Sequence, residues 1–176
     1  MVIRVFVIGL LVLSIISYLI PVEDINKKNS AVENPLLVFS DSTMFTLTTD
    51  SMNRIVYAKE VYRYKDRDLK HEGALTLKNF KDKDSYVTDV LYSDIIVKRG
   101  DDYKFFKNVR LKRDDFITIN TDELFYNTKK EIVTNTLPFN GRYYNNFIEG
   151  DNIYLDMNSY FMKSSNTHFE IDMKKK

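Results

Sequence analysis

The residue types that most often carry enzyme chemistry are scarce in this chain. Its 176 residues include no Cys, no Trp and only two His, which excludes disulfides, thiol nucleophiles and cysteine metal sites. His71 and His168 have no second His or Cys at metal-ligand spacing, so we expect no metal site and no cofactor. The acidic pairs 101–102 and 114–115 could supply a general acid and base, but strand neighbours point to opposite faces and turn residues are solvated. We therefore expect no catalytic residue and no enzyme activity.

The charged side chains are numerous but balanced. The 26 Lys and Arg and the 25 Asp and Glu give a formal net charge of +1. This balance provides no general field for a polyanion, so we expect no nucleic-acid partner. Arg110 and Lys112 alternate with Val109 and Leu111, which predicts a solvated strand face and, less favoured, a contact with lipid phosphates; Arg113 falls where a turn is predicted to begin.

An apolar segment precedes the rest of the chain. Residues 5–22 read VFVIGLLVLSIISYLIPV, and these 18 residues without a charge are long enough to span a bilayer. A secretory signal peptide is the alternative, but the segment lacks a small-residue cleavage site, so an uncleaved anchor over residues 1–22 is favoured. Arg4 before the span, with Glu23 and Asp24 after it, favours a cytoplasmic N-terminus and places the bulk of the chain outside.

The remainder is predicted to be a linker followed by an all-β domain. Residues 23–35 are mostly polar and end in Asn-Pro, which is typical of a linker; residues 36–173 form the domain and residues 174–176 a basic tail. No stretch of the domain keeps a helical apolar period for three turns, and strand-forming residues are common. Turn clusters about every 10 to 19 residues predict a meander, sandwich or roll. Asn140-Gly141 is the strongest hairpin signal, because both residues tolerate the positive φ of a type I′ turn.

The chain is also rich in aromatic residues, with 12 Tyr and 12 Phe. On alternating strands such residues ordinarily form a closed hydrophobic core. A groove for an apolar ligand would use the same residues, because an acyl chain needs only a row of inward-facing apolar side chains from which water is excluded. Alternation alone leaves both interpretations open.

The ordered features resemble the LptC family of lipopolysaccharide-export proteins. The stretches that carry the resemblance are FTL at 45–47, AKEVYRY at 58–64, ITINTDELFYN at 117–127, IVTN at 132–135, EGDNIYLD at 149–156 and HFEI at 168–171. Members of the family have one N-terminal span and a periplasmic β-jellyroll. The resemblance therefore implies an all-β, open β-jellyroll of twisted antiparallel sheets preceded by one N-terminal transmembrane helix, in a single-pass inner-membrane protein with a periplasmic bulk.

The resemblance also implies a function, the non-enzymatic transport of lipopolysaccharide from the inner to the outer membrane. In the family the anchor associates with the inner-membrane ABC transporter, and the jellyroll receives the lipid's acyl chains. The C-terminal edge strand pairs with the next jellyroll of a periplasmic bridge. The implied lipid-groove residues are Leu47, Leu75, Leu77, Ile117, Ile119, Leu124, Ile153 and Leu155. The implied partner-edge residues are Gly150, Ile153, Tyr154, Phe169 and Ile171. The residues leave open an alternative, a bitopic envelope-assembly scaffold whose β-domain binds only proteins.

Overall fold

The structure of the protein is a computed structural model that describes residues 33–47, 52–82, 85–159 and 161–171. The chain divides into two units after Asn34, and the described fold belongs to the second. The predicted anchor, most of the predicted linker and the basic tail lie outside the described residues. Within the described ranges, no helix is long and apolar enough to cross a membrane.

The described fold is all-β, as the sequence predicts. Over the described residues the strands are β1 (Leu37–Leu47), β2 (Met52–Arg63), β3 (Asp68–Asp82), β4 (Ser85–Arg99), β5 (Asp102–Arg113), β6 (Ile117–Asn127), β7 (Ile132–Thr134), β8 (Phe139–Tyr143), β9 (Asn146–Gly150), β10 (Asn152–Asp156), β11 (Met162–Ser165) and β12 (His168–Glu170). β1 to β6 are long, and the later strands are short. β1 to β6 continue through irregular positions as bent strands. Later in the chain, comparable positions end one short strand before the next begins.

The strands form one antiparallel sheet that branches at β6. β1 to β6 are a meander in which each strand pairs with the next. The first half of β6, Ile117 to Thr121, pairs with β8, whereas its second half, from Phe125, pairs with β7. One branch then continues from β7 through β10 to β11, and the other continues from β8 through β9 to β12. The sheet therefore has β1 at one edge and both β11 and β12 at the other.

The long strands share one row of irregular residues, which we call the crease. Inward-facing residues are two apart on each side of the crease. Across it they are three apart in β2 (Ala58 and Val61) and in β6 (Thr121 and Leu124), and four apart in β5 (Phe105 and Val109). Where β4, β5 and β6 cross this row their pairing registers shift. Backbone with positive φ, between 47° and 62°, marks the crease at Asp41, Glu72, Lys107, Asn108 and Asn166. Such local insertions bend a strand and redirect its side chains.

The crease divides the sheet into two walls. Wall A contains residues 37–40, 60–63, 68–71, 95–99, 102–106 and 123–127 together with β7, β10 and β11; wall B contains residues 42–47, 52–58, 73–82, 85–93, 109–113 and 117–121 together with β8, β9 and β12. Phe105 and Leu124 of wall A and Leu91 and Leu111 of wall B are completely buried in a shared hydrophobic core. The two walls therefore face each other across this core.

Polar contacts follow the outer side of the crease. The ammonium of Lys59 lies 3.1 Å from the carboxylate of Glu72. The amide of Asn108 donates to Asp94 at 2.6 Å, and the amide of Asn166 donates to Asp151 at 2.5 Å. Because these groups are in or near solvent, each contact contributes little stability by itself. Their shared position shows that the bend turns polar side chains outward in strand after strand.

The hairpin predicted at Asn140-Gly141 is wrong. Both residues lie inside β8, and the turn into β9 occurs at Tyr144 and Asn145, where Tyr144 has a φ of 53°. Gly141 is buried, and a Cβ at this position would overlap the carbonyl oxygen of Thr118 on β6. The glycine is therefore required by the close approach of two strands and not by turn geometry.

We expect Gly141→Ala to destabilise the protein by about 1–3 kcal/mol, because the added methyl group must push β8 away from β6. Gly100→Asn is the matched control: Gly100 has a φ of 57° and open space around its Cα, and asparagine tolerates this backbone conformation. Urea unfolding of the two purified variants measures both effects. Equal stability of Gly141→Ala and the unsubstituted protein would contradict the described β6–β8 register.

Candidate functional site

The space between the walls is closed in its middle and opens at the β1 edge. On wall A, the inward-facing ring of Phe39 is 42% exposed, whereas its cross-strand partner Val61 is completely buried. On wall B, Met44 is half-buried and its partner Val56 is 5% exposed. Exposure therefore falls within one strand spacing from β1 to the core. The apolar interior reaches solvent along the inner side of β1.

The opposite edge of the sheet opens in the same way. Phe169 on β12 faces inward beside Ile148 of β9, and its ring is 42% exposed whereas Ile148 is 5% exposed. On the other wall, Met162 of β11 is half-buried beside Leu155, which is almost completely buried. The apolar interior thus meets solvent at both edges of the sheet. An apolar chain could contact either opening without exposing the core between them.

Most of the predicted groove residues lie in that core. None of the following is more than 9% exposed: Leu75, Leu77, Ile117, Ile119, Leu124, Ile153 and Leu155. Leu47 differs, because it lies at the end of β1 beyond a register shift and is 72% exposed. The structure thus brings seven of the eight residues together as packed core side chains. Their contact with a lipid stays a prediction.

The sequence analysis missed Phe39 and Met44, the residues that line the β1 opening. They are five positions apart, so a search for alternation assigns them to opposite faces. The crease at Asp41 lies between them, and it returns both side chains to the inner side. A signal was present in β1 nonetheless, because a Ser-Asp-Ser break interrupts the apolar run of this strand.

The predicted partner-edge residues are distributed over three strands. Gly150 and Ile153 are buried, one strand in from the edge, and a Cβ on Gly150 would overlap the hydroxyl of Ser164 on β11. Tyr154 lies on the outer face, 6.5 Å from the ring of Phe161. Phe169 lies on β12 itself, and Ile171 follows it, 66% exposed. The close packing at Gly150 is within the chain, and partner contact at these residues stays a prediction.

The inner face also carries an ion pair that the sequence analysis did not find. The guanidinium of Arg113 donates to both carboxylate oxygens of Asp89 at 2.5 and 3.0 Å, and both side chains are completely buried. Arg113 also lies 3.2 Å from the sulfur of Met157 on the opposite wall. Arg110 and Lys112 are exposed, as their alternation predicts. Arg113 instead faces inward, because β5 keeps a regular alternation from Val109 to its last residue.

A second charged group lies nearer the β1 opening. Asp68 accepts two hydrogen bonds from Arg63, at 2.8 and 3.1 Å, and lies 3.4 Å from the ammonium of Lys70. Hydrogen bonding to Arg63 holds the pKa of Asp68 below its usual value. Lys70 is 1% exposed, and burial lowers the pKa of its ammonium although Asp68 opposes that shift.

Two tyrosines of wall A complete this region. Burial raises the pKa of Tyr126 to about 12, and it also raises the pKa of Tyr103. The nearby guanidinium of Arg54 on wall B opposes the effect of burial on the pKa of Tyr103, which shows that the walls approach each other here. Both phenols stay neutral at physiological pH, so they are hydrogen-bonding groups and not charges.

The two histidines lie apart from this region. His71 contacts the ring of Tyr62 edge to face, with 5.7 Å between ring centroids. His168 is exposed, and its Nε2 lies 3.1 Å from Glu170. Among the described residues, no group of three or more His, Asp or Glu side chains is placed to hold a metal ion.

Comparison with solved structures gives a distant structural likeness. No protein-family model and no curated protein matches the chain. The crystal structure of LptH from Pseudomonas aeruginosa, the LptA-homologous periplasmic component of a lipopolysaccharide transport device, is similar at 17% identity over 80% of this chain and 97% of that chain, with a TM-score of 0.35. A likeness this distant carries no weight for function, which rests here on the strands and side chains themselves.

We expect removal of either partner of the Asp89–Arg113 pair to cost about 3–5 kcal/mol, because an uncompensated charge would stay buried. Asp89→Leu and Arg113→Met test this singly, and the double variant should be much more stable than the sum of the two losses implies. Urea unfolding of all four proteins measures the coupling. Additive losses would show that the two charges do not depend on each other.

We expect the stabilising effect of Asp68 to disappear in acid. Because its pKa is lowered in the folded protein, its contribution is complete above the unfolded value of about 4 and is lost as pH falls through the lower folded value. Asp68→Asn should therefore lower the melting temperature at pH 7 and converge with the unsubstituted protein towards pH 2.5. The control is Asp115→Asn, whose carboxylate is 98% exposed and should matter little at any pH. Parallel curves for Asp68→Asn would contradict the described contacts.

Proposed function

We propose that this protein carries the acyl chains of lipopolysaccharide between its two walls, as a non-enzymatic step of transport from the inner to the outer membrane. It would do so as a single-pass inner-membrane protein with a cytoplasmic N-terminus and a periplasmic β-domain. The observation that carries the proposal is the opening at β1, where inward-facing Phe39 is exposed directly beside the buried core. The resemblance of the sequence to LptC proteins supports lipopolysaccharide as the lipid.

The physical basis is the burial of acyl chains at an opening that is already apolar. Transferring hydrocarbon from water gains roughly 25 cal/mol per Å² of buried area, so several acyl chains can be held without any polar contact. Phe39 on wall A and Met44 on wall B present such a surface, with buried Val56 beside Met44. The protein contributes no catalytic group in this scheme, and the energy for transport comes from an ABC transporter in the membrane.

The edges of the sheet fit a place within a longer bridge. β1 exposes large apolar side chains on both faces, with Phe39 at 42% on the inner face and Val38 at 54% and Phe45 at 58% on the outer face. An edge strand presents unpaired N–H and C=O groups that can pair with a strand of another protein. We propose that lipid enters beside β1 and leaves beside β11 and β12, where a second periplasmic jellyroll pairs with the C-terminal edge.

A photo-reactive residue at position 39 should therefore form an adduct with lipopolysaccharide in living cells. Val38 supplies the matched control, because it lies on the same strand with a comparable exposure but faces outward. The result expected is an adduct at position 39 and little or none at position 38, measured by immunoblotting for the lipid. Positions 119 and 155 extend the test into the core.

Two other outcomes of this experiment have defined meanings. Adducts with proteins alone at positions 38 and 39, from a folded protein, would favour the envelope-assembly scaffold. Equal lipid labelling at both positions would indicate contact with a membrane surface and would contradict transport between the walls.

A further inference from the structure

The charges that face the space between the walls are unbalanced, although those of the whole chain nearly cancel. Among the described residues, the inward-facing charged side chains are Arg54, Arg63, Lys70, Lys98, Arg113, Asp68 and Asp89. They are five cations and two carboxylates, whereas the complete sequence has a net charge of only +1. The inner face is thus the positive part of this protein.

The excess of cations lies near the β1 opening. Asp89 and Arg113 neutralise each other in the closed core, which leaves Asp68 as the carboxylate beside the remaining cations. Arg63, Asp68 and Lys98 are direct cross-strand neighbours on wall A. The next position of this row is Tyr103, whose ring centroid lies 5.8 Å from the ammonium of Lys98.

Two of these cations have a buried polar group with incomplete pairing. Lys70 is 1% exposed, and its ammonium makes a long contact with Asp68, at 3.4 Å. The Nε–H of Arg54 is buried and has no hydrogen-bond acceptor among the described residues. Burying a cation without full compensation costs free energy. An anion that entered this region would supply the missing acceptors.

We propose that Arg54, Arg63, Lys70 and Lys98 form a site for a phosphate group on the amphiphile whose acyl chains lie between the walls. The cluster is next to the exposed inner side of β1, at the junction between solvent and the apolar core. An amphiphile needs this arrangement, with a charged group at the opening and hydrocarbon beyond it. Arginine and lysine both bind phosphate oxygens through charge-assisted hydrogen bonds. This inference rests on the function proposed above and specifies the recognised headgroup.

The test uses the full-length chain in a non-ionic detergent and two probes with identical acyl chains, lipid A with both phosphates and lipid A from which the phosphates have been removed. The unsubstituted protein should bind the phosphorylated probe at least about tenfold more tightly. Lys70→Met and Arg63→Gln should each reduce that preference severalfold and leave binding of the dephosphorylated probe unchanged. Because Arg63 is 44% exposed, its replacement keeps the test valid if Lys70→Met does not fold.

Lys104→Met is the control, because it removes one positive charge from the outer face of the same wall and should leave the preference intact. Equal binding of both probes to the unsubstituted protein would overturn the phosphate site and leave lipid transport standing. Binding of neither probe would contradict the proposed function itself. Inorganic phosphate should not compete at millimolar concentration; if it does, the site takes a free anion and the headgroup assignment fails.

Discussion

The crease is the constraint on which the rest of this structure depends. A meander of long antiparallel strands has two faces, and without a bend each face would need a separate cover. Here the long strands carry extra residues at one shared row and bend there, so that two halves of a single sheet bury the same face against each other. The bend places residues such as Glu72 and Asn108 in the left-handed backbone conformation, which is unfavourable for side chains other than glycine. Burial of the aromatic and aliphatic side chains between the walls compensates for this free-energy cost.

The same construction explains why the interior is closed in the middle and open at the edges. A strand in the middle of the sheet has neighbours on both sides, and the facing wall covers its inward side chains. β1 has a neighbour on one side, so Phe39 remains exposed although its partner Val61 is buried. Openings of this kind follow from an unclosed sheet. They place apolar surface beside inward-facing cations such as Arg63, which is the combination that an anionic amphiphile requires.

Much of the fold could be predicted from the sequence, because alternation and strand-forming residues are local properties. The all-β class and the outward direction of Arg110 and Lys112 follow from such patterns. The crease could not be predicted, because Asp122 and Glu123, where β6 crosses it, look like ordinary polar strand residues in the sequence. Their irregular position is visible only when β6 is paired with β5. The sequence pattern likewise predicts a turn at Gly141. The glycine is needed there because the backbone of Thr118 on the neighbouring strand leaves no room for a Cβ, and this contact is not visible in the local sequence. The inward direction of Lys70 is set by pairing with β2 and β4, which no local pattern encodes.

The proposed transport requires that acyl chains lie between the walls. Nuclear magnetic resonance of the methyl-labelled protein with lipopolysaccharide tests it most directly, because nuclear Overhauser contacts report which methyl groups touch the acyl chains. If acyl chains lie between the walls, we expect contacts to the methyl groups of Met44 and Val56, which face inward near β1, and none to those of Val38 and Val90, which face outward. Contacts confined to Val38 and Val90, with Met44 and Val56 unaffected, would contradict it.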